Sequence, residues 1–267
     1  MTEEILKKIK QLPPLPESAM QIEAVYQDPD SSFNDMVKIL EKDPLLTADI
    51  LKAANSPLYG FSREINAISQ AVGLFGMGTV RGFALASIVK KSFTLELGPY
   101  GITNDMFSAL SKKQHGLMTS WCIRKENKLL GVLSPAAFLV EIGKVLIAQQ
   151  IMTDNKQDEF TEALKELGDV EAAERKVLGV DTPEVSATIF AQWKFEEGLV
   201  DVIRNCTNPA KADEADTRPA QILHVVRTAV PINGVITDES TAQAKELIAK
   251  YSLDLESFEV AIENATA

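Results

Sequence analysis

The sequence predicts an all-α fold, a bundle of many helices. Three observations predict it. Apolar residues recur with the helical period along most of the chain, strand-like alternation is nearly absent, and the periodic stretches begin and end on helix-capping residues. With 267 residues, 45% of them apolar and 24% charged, the chain can bury one large core, or a domain plus an appended piece.

The elements follow in order. Phe33, Met36, Val37 and Leu40 share one helical face, and Ser32 with Asp35 three residues on resembles a capping box. Asp43-Pro44 opens the next helix: the carboxylate accepts free backbone N–H groups, and proline suits the first helical position. Its inward face is Leu46, Ile50, Ala53 and Ala54, and Asn55-Ser56-Pro57 stops it, because a residue before proline avoids the α region. Gly76-Met77-Gly78 divides two apolar helical stretches, and Leu97-Gly98-Pro99-Tyr100-Gly101 separates two helical layers. Ser134-Pro135 reads as the cap and first turn of a central helix running towards Ile151, apolar on most sides. Glu- and Lys-rich residues 154–176 read as a solvated helical face. Thr182-Pro183-Glu184 opens a helix carrying Val185, Ile189 and Trp193. The sets Leu199/Val202/Ile203/Cys206, Ile222/Val225/Val226/Ala229 and Ala244/Leu247/Ile248/Tyr251 repeat the period, with a polar loop over residues 208–219 between the first two. Trp121 and Trp193 are expected in the core.

Bulk properties exclude several classes. A net charge of −11 repels phosphate backbones and anionic lipid, so neither nucleic acid nor membrane is an expected partner. The longest uncharged stretch, Ile65 to Val80, carries four polar side chains and three glycines, unlike a membrane span. The N-terminus shows no signal-peptide pattern, and two cysteines are too few to staple a secreted scaffold, so a cytoplasmic setting is expected. Gly76-Met77-Gly78 lacks the ending of a phosphate loop. Residues 71–86 have the outline of a helix-turn-helix with too little basic charge. Two histidines leave little material for a triad or a zinc site.

Three stretches taken together, Leu12-Pro13-Pro14-Leu15-Pro16, Asp43-Pro44-Leu45-Leu46-Thr47 and Asn55-Ser56-Pro57-Leu58-Tyr59, resemble the HDOD family, helical output domains related to HD-domain phosphohydrolases. The similarity continues through Ile65–Val89 and, more weakly, through Ala136–Ile147, Leu178–Trp193 and Ile203–Pro209. The resemblance implies an HD-domain-like bundle over residues 12–209 followed by a C-terminal helical extension over 210–267. It also implies a role in bacterial signal transduction, commonly without catalysis, through a regulatory protein or a small ligand such as a nucleotide second messenger. At its signature positions, Asp43, Asn55, Ser56 and Arg81 are candidates for partner or ligand contact, beside their structural roles as caps.

Catalytic relatives of the family hold divalent metals with histidines and aspartates from several helices. By the resemblance, the His-Asp pair falls at Val140-Glu141, a later histidine at Thr182, and a pair of histidines at Cys206-Thr207. No histidine stands near Ala109, where a first ligand would lie. Metal-assisted hydrolysis needs imidazole and carboxylate ligands with an open position for water. The expectation is therefore a degenerate centre, no metal, no cofactor and no enzyme activity. The competing reading is a divergent metal-dependent phosphohydrolase acting on nucleotides.

Overall fold

A computed structural model describes residues 2–59 and 63–266, and among these residues there is no strand. The N-terminal half contains α1 (Glu3–Lys10), α2 (Glu17–Gln27), α3 (Phe33–Leu40), α4 (Pro44–Ala54), α5 (Ile68–Lys91) and α6 (Asn104–Cys122). The middle contains α7 (Leu130–Leu139), α8 (Gly143–Thr153), α9 (Gln157–Leu167), α10 (Val170–Leu178), α11 (Thr182–Gln192) and α12 (Glu197–Asn205). The chain ends with α13 (Glu214–Ala229), α14 (Asp238–Tyr251) and α15 (Leu255–Thr266).

Local chemistry sets the early boundaries as the sequence suggests. Ser32 and Asp35 form the capping box of α3. The Asp43 carboxylate caps α4 by accepting Leu45 N and Leu46 N, both at 3.0 Å. Beyond α4, Asn55 clamps the returning loop: its amide donates to Leu51 O (2.9 Å) and Ile65 O (2.8 Å), and its carbonyl accepts Ile65 N (2.8 Å). Gly76, at φ +78°, bends α5 where a side chain would be strained.

The centre of the bundle is α7 and α8, where every residue from Leu133 to Ala148 is buried. Helix α5 packs along α4 and α7, α6 along α7 and α15, α11 along α8 and α12, and α13 along α12 and α14. Two helical windows, within Ile68–Lys91 and Asn127–Thr153, are apolar enough to cross a bilayer, but 61% and 83% of their residues are buried inside the fold. Their hydrophobicity is that of core helices.

Four expectations need correction. Helix α7 starts at Leu130, not Ser134, so Pro135 lies inside it. A proline there cannot donate to Gly131 O, the carbonyl four residues back. Arg81 Nη1 donates to that carbonyl instead, at 3.2 Å. Likewise α13 begins at Glu214, within the stretch read as a loop, and carries Pro219 on its buried side. Trp193 is half-buried at the surface, where its indole N–H donates to Pro13 O (3.0 Å) and fixes the proline-rich lead-in. Trp121 does lie in the core. The fourth correction concerns residues 154–176, of which α9 is solvated as expected, whereas α10 turns Glu174 wholly inward.

Candidate functional site

A short 3₁₀ turn, Val140–Ile142, joins α7 to α8 and sets Glu141 and Lys144 three residues apart on one side. Gly143 between them lets the start of α11 approach. Gly143 N donates to Ser186 Oγ (2.8 Å), and Ser186 Oγ donates to Val140 O (2.7 Å). A Cβ on Gly143 would lie 2.5 Å from the Thr182 carbonyl oxygen. Gly143→Ala is therefore expected to force α8 and α11 apart and cost about 1–3 kcal/mol in urea unfolding. An unchanged midpoint would contradict this account of the contact.

Five charged side chains meet at this junction. Glu141 and Lys144 come from the α7–α8 segment, Glu171 and Glu174 from α10, and Arg227 from α13. Arg227 donates through Nε to Glu141 Oε1 (2.8 Å) and through Nη2 to Glu141 Oε2 (3.4 Å) and to Glu171. Lys144 Nζ lies 3.0 Å from Glu141 Oε2, 3.4 Å from Glu174 Oε1 and 3.8 Å from Glu171 Oε1, and donates to Thr182 Oγ1 at 3.0 Å. Glu174 also accepts from Tyr100 Oη (2.7 Å), Thr182 Oγ1 (2.7 Å) and Thr182 N (2.6 Å). The Lys144 and Glu141 side chains are 2% and 4% exposed, so these charges have left water and depend on one another.

The titration of these groups follows from that dependence. Burial acts to raise the Glu141 carboxyl, but Arg227 and Lys144 outweigh it and hold the group well below the ordinary carboxylate range. Burial likewise opposes the charge on Lys144, yet Glu141, Glu174 and Glu171 keep it an ammonium. Burial pushes Glu174 up, against its hydrogen-bond donors. Cys206 receives Arg227 Nη1 at 3.7 Å, and burial pushes its thiol up to about 12, so it stays protonated and a poor metal ligand. A cavity of about 330 Å³ opens beside the cluster, lined among others by Glu141, Lys144, Thr207, His224 and Arg227.

The structure thus brings Glu141, Thr182, Cys206 and Thr207 to one place, with Val140 alongside offering only its backbone carbonyl. Asp43 and Asn55 spend their side chains on local backbone, and Ser56 follows them as the half-buried residue before Pro57. Arg81 is wholly buried elsewhere, paired with Glu23 (2.6 and 2.8 Å) and Glu196 (3.0 Å) and stacked 4.1 Å from the Tyr26 ring centroid. Sequence reasoning missed Lys144, Glu171, Glu174 and Arg227. One signal was available, since Glu141 and Lys144 are the only charged residues between Leu129 and Thr153.

A second buried polar chain lies across α6. Tyr59 Oη is 2.5 Å from His115 Nδ1, and His115 Nε2 is 2.7 Å from Ser134 Oγ, which reaches Thr79 O at 3.4 Å. One tautomer satisfies all of them: Tyr59 donates to Nδ1, Nε2–H donates to Ser134, and Ser134 donates to Thr79 O. Burial pushes the imidazole down to about 3 from an ordinary 6.5. Between those values the unfolded chain binds a proton that the folded chain refuses. Stability is therefore full above pH 6.5 and falls as the pH drops, by at most about 1.4 kcal/mol per pH unit from this group. Glu141 adds to the loss below its ordinary 4.5, where the unfolded carboxyl protonates first. Urea midpoints at pH 7.5, 6 and 4.5 should decline more steeply in the parent than in His115→Gln, because Glu174, pushed up by burial, acts in the opposite sense in both; equal slopes would contradict a neutral buried His115.

Among the described residues, the group of carboxylates close enough to share a cation is Asp201, Asp213 and Asp216, with oxygens within 4.8 Å of one another. It lies between α12, which carries Asp201, and the start of α13, on residues that are exposed or half-buried.

Comparison with known proteins places this geometry. The profile of the HDOD domain matches residues 12–209. The chain belongs to the HDOD family. As an HDOD protein it superposes on a Shewanella amazonensis protein provisionally named a phosphohydrolase, with a TM-score of 0.74, 24% identity, and 99% and 94% of the two chains covered. It also superposes on a Marinobacter aquaeolei protein provisionally named for signal transduction, with a TM-score of 0.66 and 19% identity, covering 100% of this chain and 62% of that one. These likenesses show the HD-like fold. An uncharacterized protein of Treponema pallidum is 32% identical over 73 residues, 27% of this chain, and the match spans 14% of that protein's length. Within the HDOD chain, Arg227 lies beyond the matched stretch, so one cation of the junction comes from the C-terminal helices.

Proposed function

We propose that this HDOD protein is a non-catalytic signalling module that works by binding a regulatory protein or a small ligand, with the metal centre of its hydrolase relatives replaced by internal ion pairs. The observation that carries this reading is the position of Lys144 and Arg227. They sit among Glu141, Glu171 and Glu174, at the junction where the family resemblance places metal ligands. A divalent cation entering there meets an ammonium and a guanidinium already bound to the available carboxylates. Arginine cannot shed its proton to make room. Expelling either side chain leaves a buried charge unpaired, which is costly. Thr182 and Cys206 offer a hydroxyl and a protonated thiol in place of imidazole. The family and the signalling name of the Marinobacter relative support the signalling role.

Elemental analysis of the purified protein, dialysed against iron, manganese or zinc, tests the reading together with a panel of phosphate esters and nucleotides. The expected result is no metal near stoichiometry and no turnover. Because Asp201, Asp213 and Asp216 offer a separate acidic group, the analysis is repeated on Asp213→Asn. Stoichiometric metal that persists in that variant and supports nucleotide hydrolysis would establish the divergent phosphohydrolase instead.

A further inference from the structure

A second cavity, of about 420 Å³, opens between α4, α5, α6 and the end of α7. Its floor is apolar and includes Phe83, Phe107, Phe138, Leu139 and Ile142, all buried. Its rim is cationic. Lys52, Lys90, Lys91 and Lys112 line it against one carboxylate, Asp49. In a chain of net charge −11, four ammonium groups around one opening depart sharply from the surface average.

The rim charges are only partly used. Asp49 accepts from Lys91 Nζ (2.8 Å) and from Ser87 Oγ (2.6 Å), and Lys90 donates to the Ser108 hydroxyl. Lys52 and Lys112 are exposed, and neither has a hydrogen-bond or ion-pair partner among the described residues. Burial and then the neighbouring Lys112 depress the Lys90 ammonium, and Asp105 and Asp49 only partly offset them.

We infer that this cavity binds an amphipathic acyl anion, a fatty carboxylate or its alkyl phosphate equivalent, with the chain on the phenylalanine floor and the head among Lys52, Lys90 and Lys112. The size is that of a small-molecule site, with an apolar lining and few convergent polar groups. A nucleotide shares the anionic head but not the body. Its base would set ring nitrogens and exocyclic groups against the floor of Phe83, Phe107, Phe138, Leu139 and Ile142, where the polar groups of the lining (Ser87, Ser108 and Ser111 beside the charged rim) offer hydroxyls but no side-chain amide to pair with a base. Leu139 and Ile142 bracket the turn that presents Glu141, so the acyl site and the ion-pair junction share one structural element. The inference does not rest on the non-catalytic reading, since none of Lys52, Lys90 and Lys112 belongs to the junction.

Titration calorimetry on the full chain, with ligands below their micellar concentrations, tests it. Decanoate and decyl phosphate are expected to bind at one site, and decanol at least tenfold more weakly. The double variant Lys52→Glu/Lys112→Glu, altered only at exposed positions, should keep its far-ultraviolet spectrum and melting temperature while losing tenfold or more in decanoate affinity. Ala86→Trp, which fills the cavity from α5, should abolish binding. Four outcomes would overturn the inference: no saturable decanoate binding, decanol binding as tightly as decanoate, a charge-reversal variant with unchanged affinity, or AMP binding there in preference to decanoate.

Discussion

Arg227→Met is expected to destabilise the fold by about 3–5 kcal/mol, the cost of leaving a buried charge without its partner. Methionine roughly keeps the volume, so the loss reports charge rather than a cavity. Glu141 would retain Lys144 as its one charged partner beside the neutral amide of Gln114 (3.2 Å), and Glu171 would be left with Lys144 at 3.8 Å. The distinguishing feature is non-additivity. Glu141→Gln removes one of the stranded carboxylates, so Arg227→Met/Glu141→Gln should recover part of the loss in a double-mutant cycle read by urea unfolding. A single-variant loss below about 1 kcal/mol would mean that the junction is hydrated and its pairs are weak, as exposed pairs are.

Arg81→Met should be the other large effect, at about 3 kcal/mol. The guanidinium is fully buried, but Glu196 keeps 28% of its side-chain exposure and can recover water, which places the estimate at the low end of that range. Arg81→Lys should rescue little. An ammonium cannot make the two-pronged pair with Glu23 while also reaching Glu196 and the Gly131 carbonyl that Pro135 leaves free. Equal stability of Arg81→Lys and the parent would show that charge alone matters there. The same residue is the only basic side chain in residues 71–86, the stretch with a helix-turn-helix outline. Its burial leaves that stretch no basic group to meet a phosphate.

The elements that could be read from sequence are those whose cause is local. The Ser32–Asp35 box, the Asp43-Pro44 start, the Asn55 stop and the Gly76 break each involve neighbours within a turn or a short loop. Where a distant partner supplies the missing bond, local rules mislead. Pro135 signals a helix start until Arg81, far away in sequence, is seen to take the carbonyl it frees. The site divides in the same way. Glu141, Thr182, Cys206 and Thr207 could be placed because the family pattern aligns them. Arg227 could not, because it contacts Glu141 across 86 residues and lies outside that pattern. Residues 154–176 look solvated by composition, and only the packing of α10 against α8 turns Glu174 inward.

The most direct measurement is anomalous scattering from crystals soaked in manganese. The account predicts no manganese density within bonding distance of Glu141, Glu174 or Thr182, with the Lys144 ammonium and the Arg227 guanidinium in their pairs. One or two manganese ions bound by Glu141, with those side chains swung out of the junction, would contradict it.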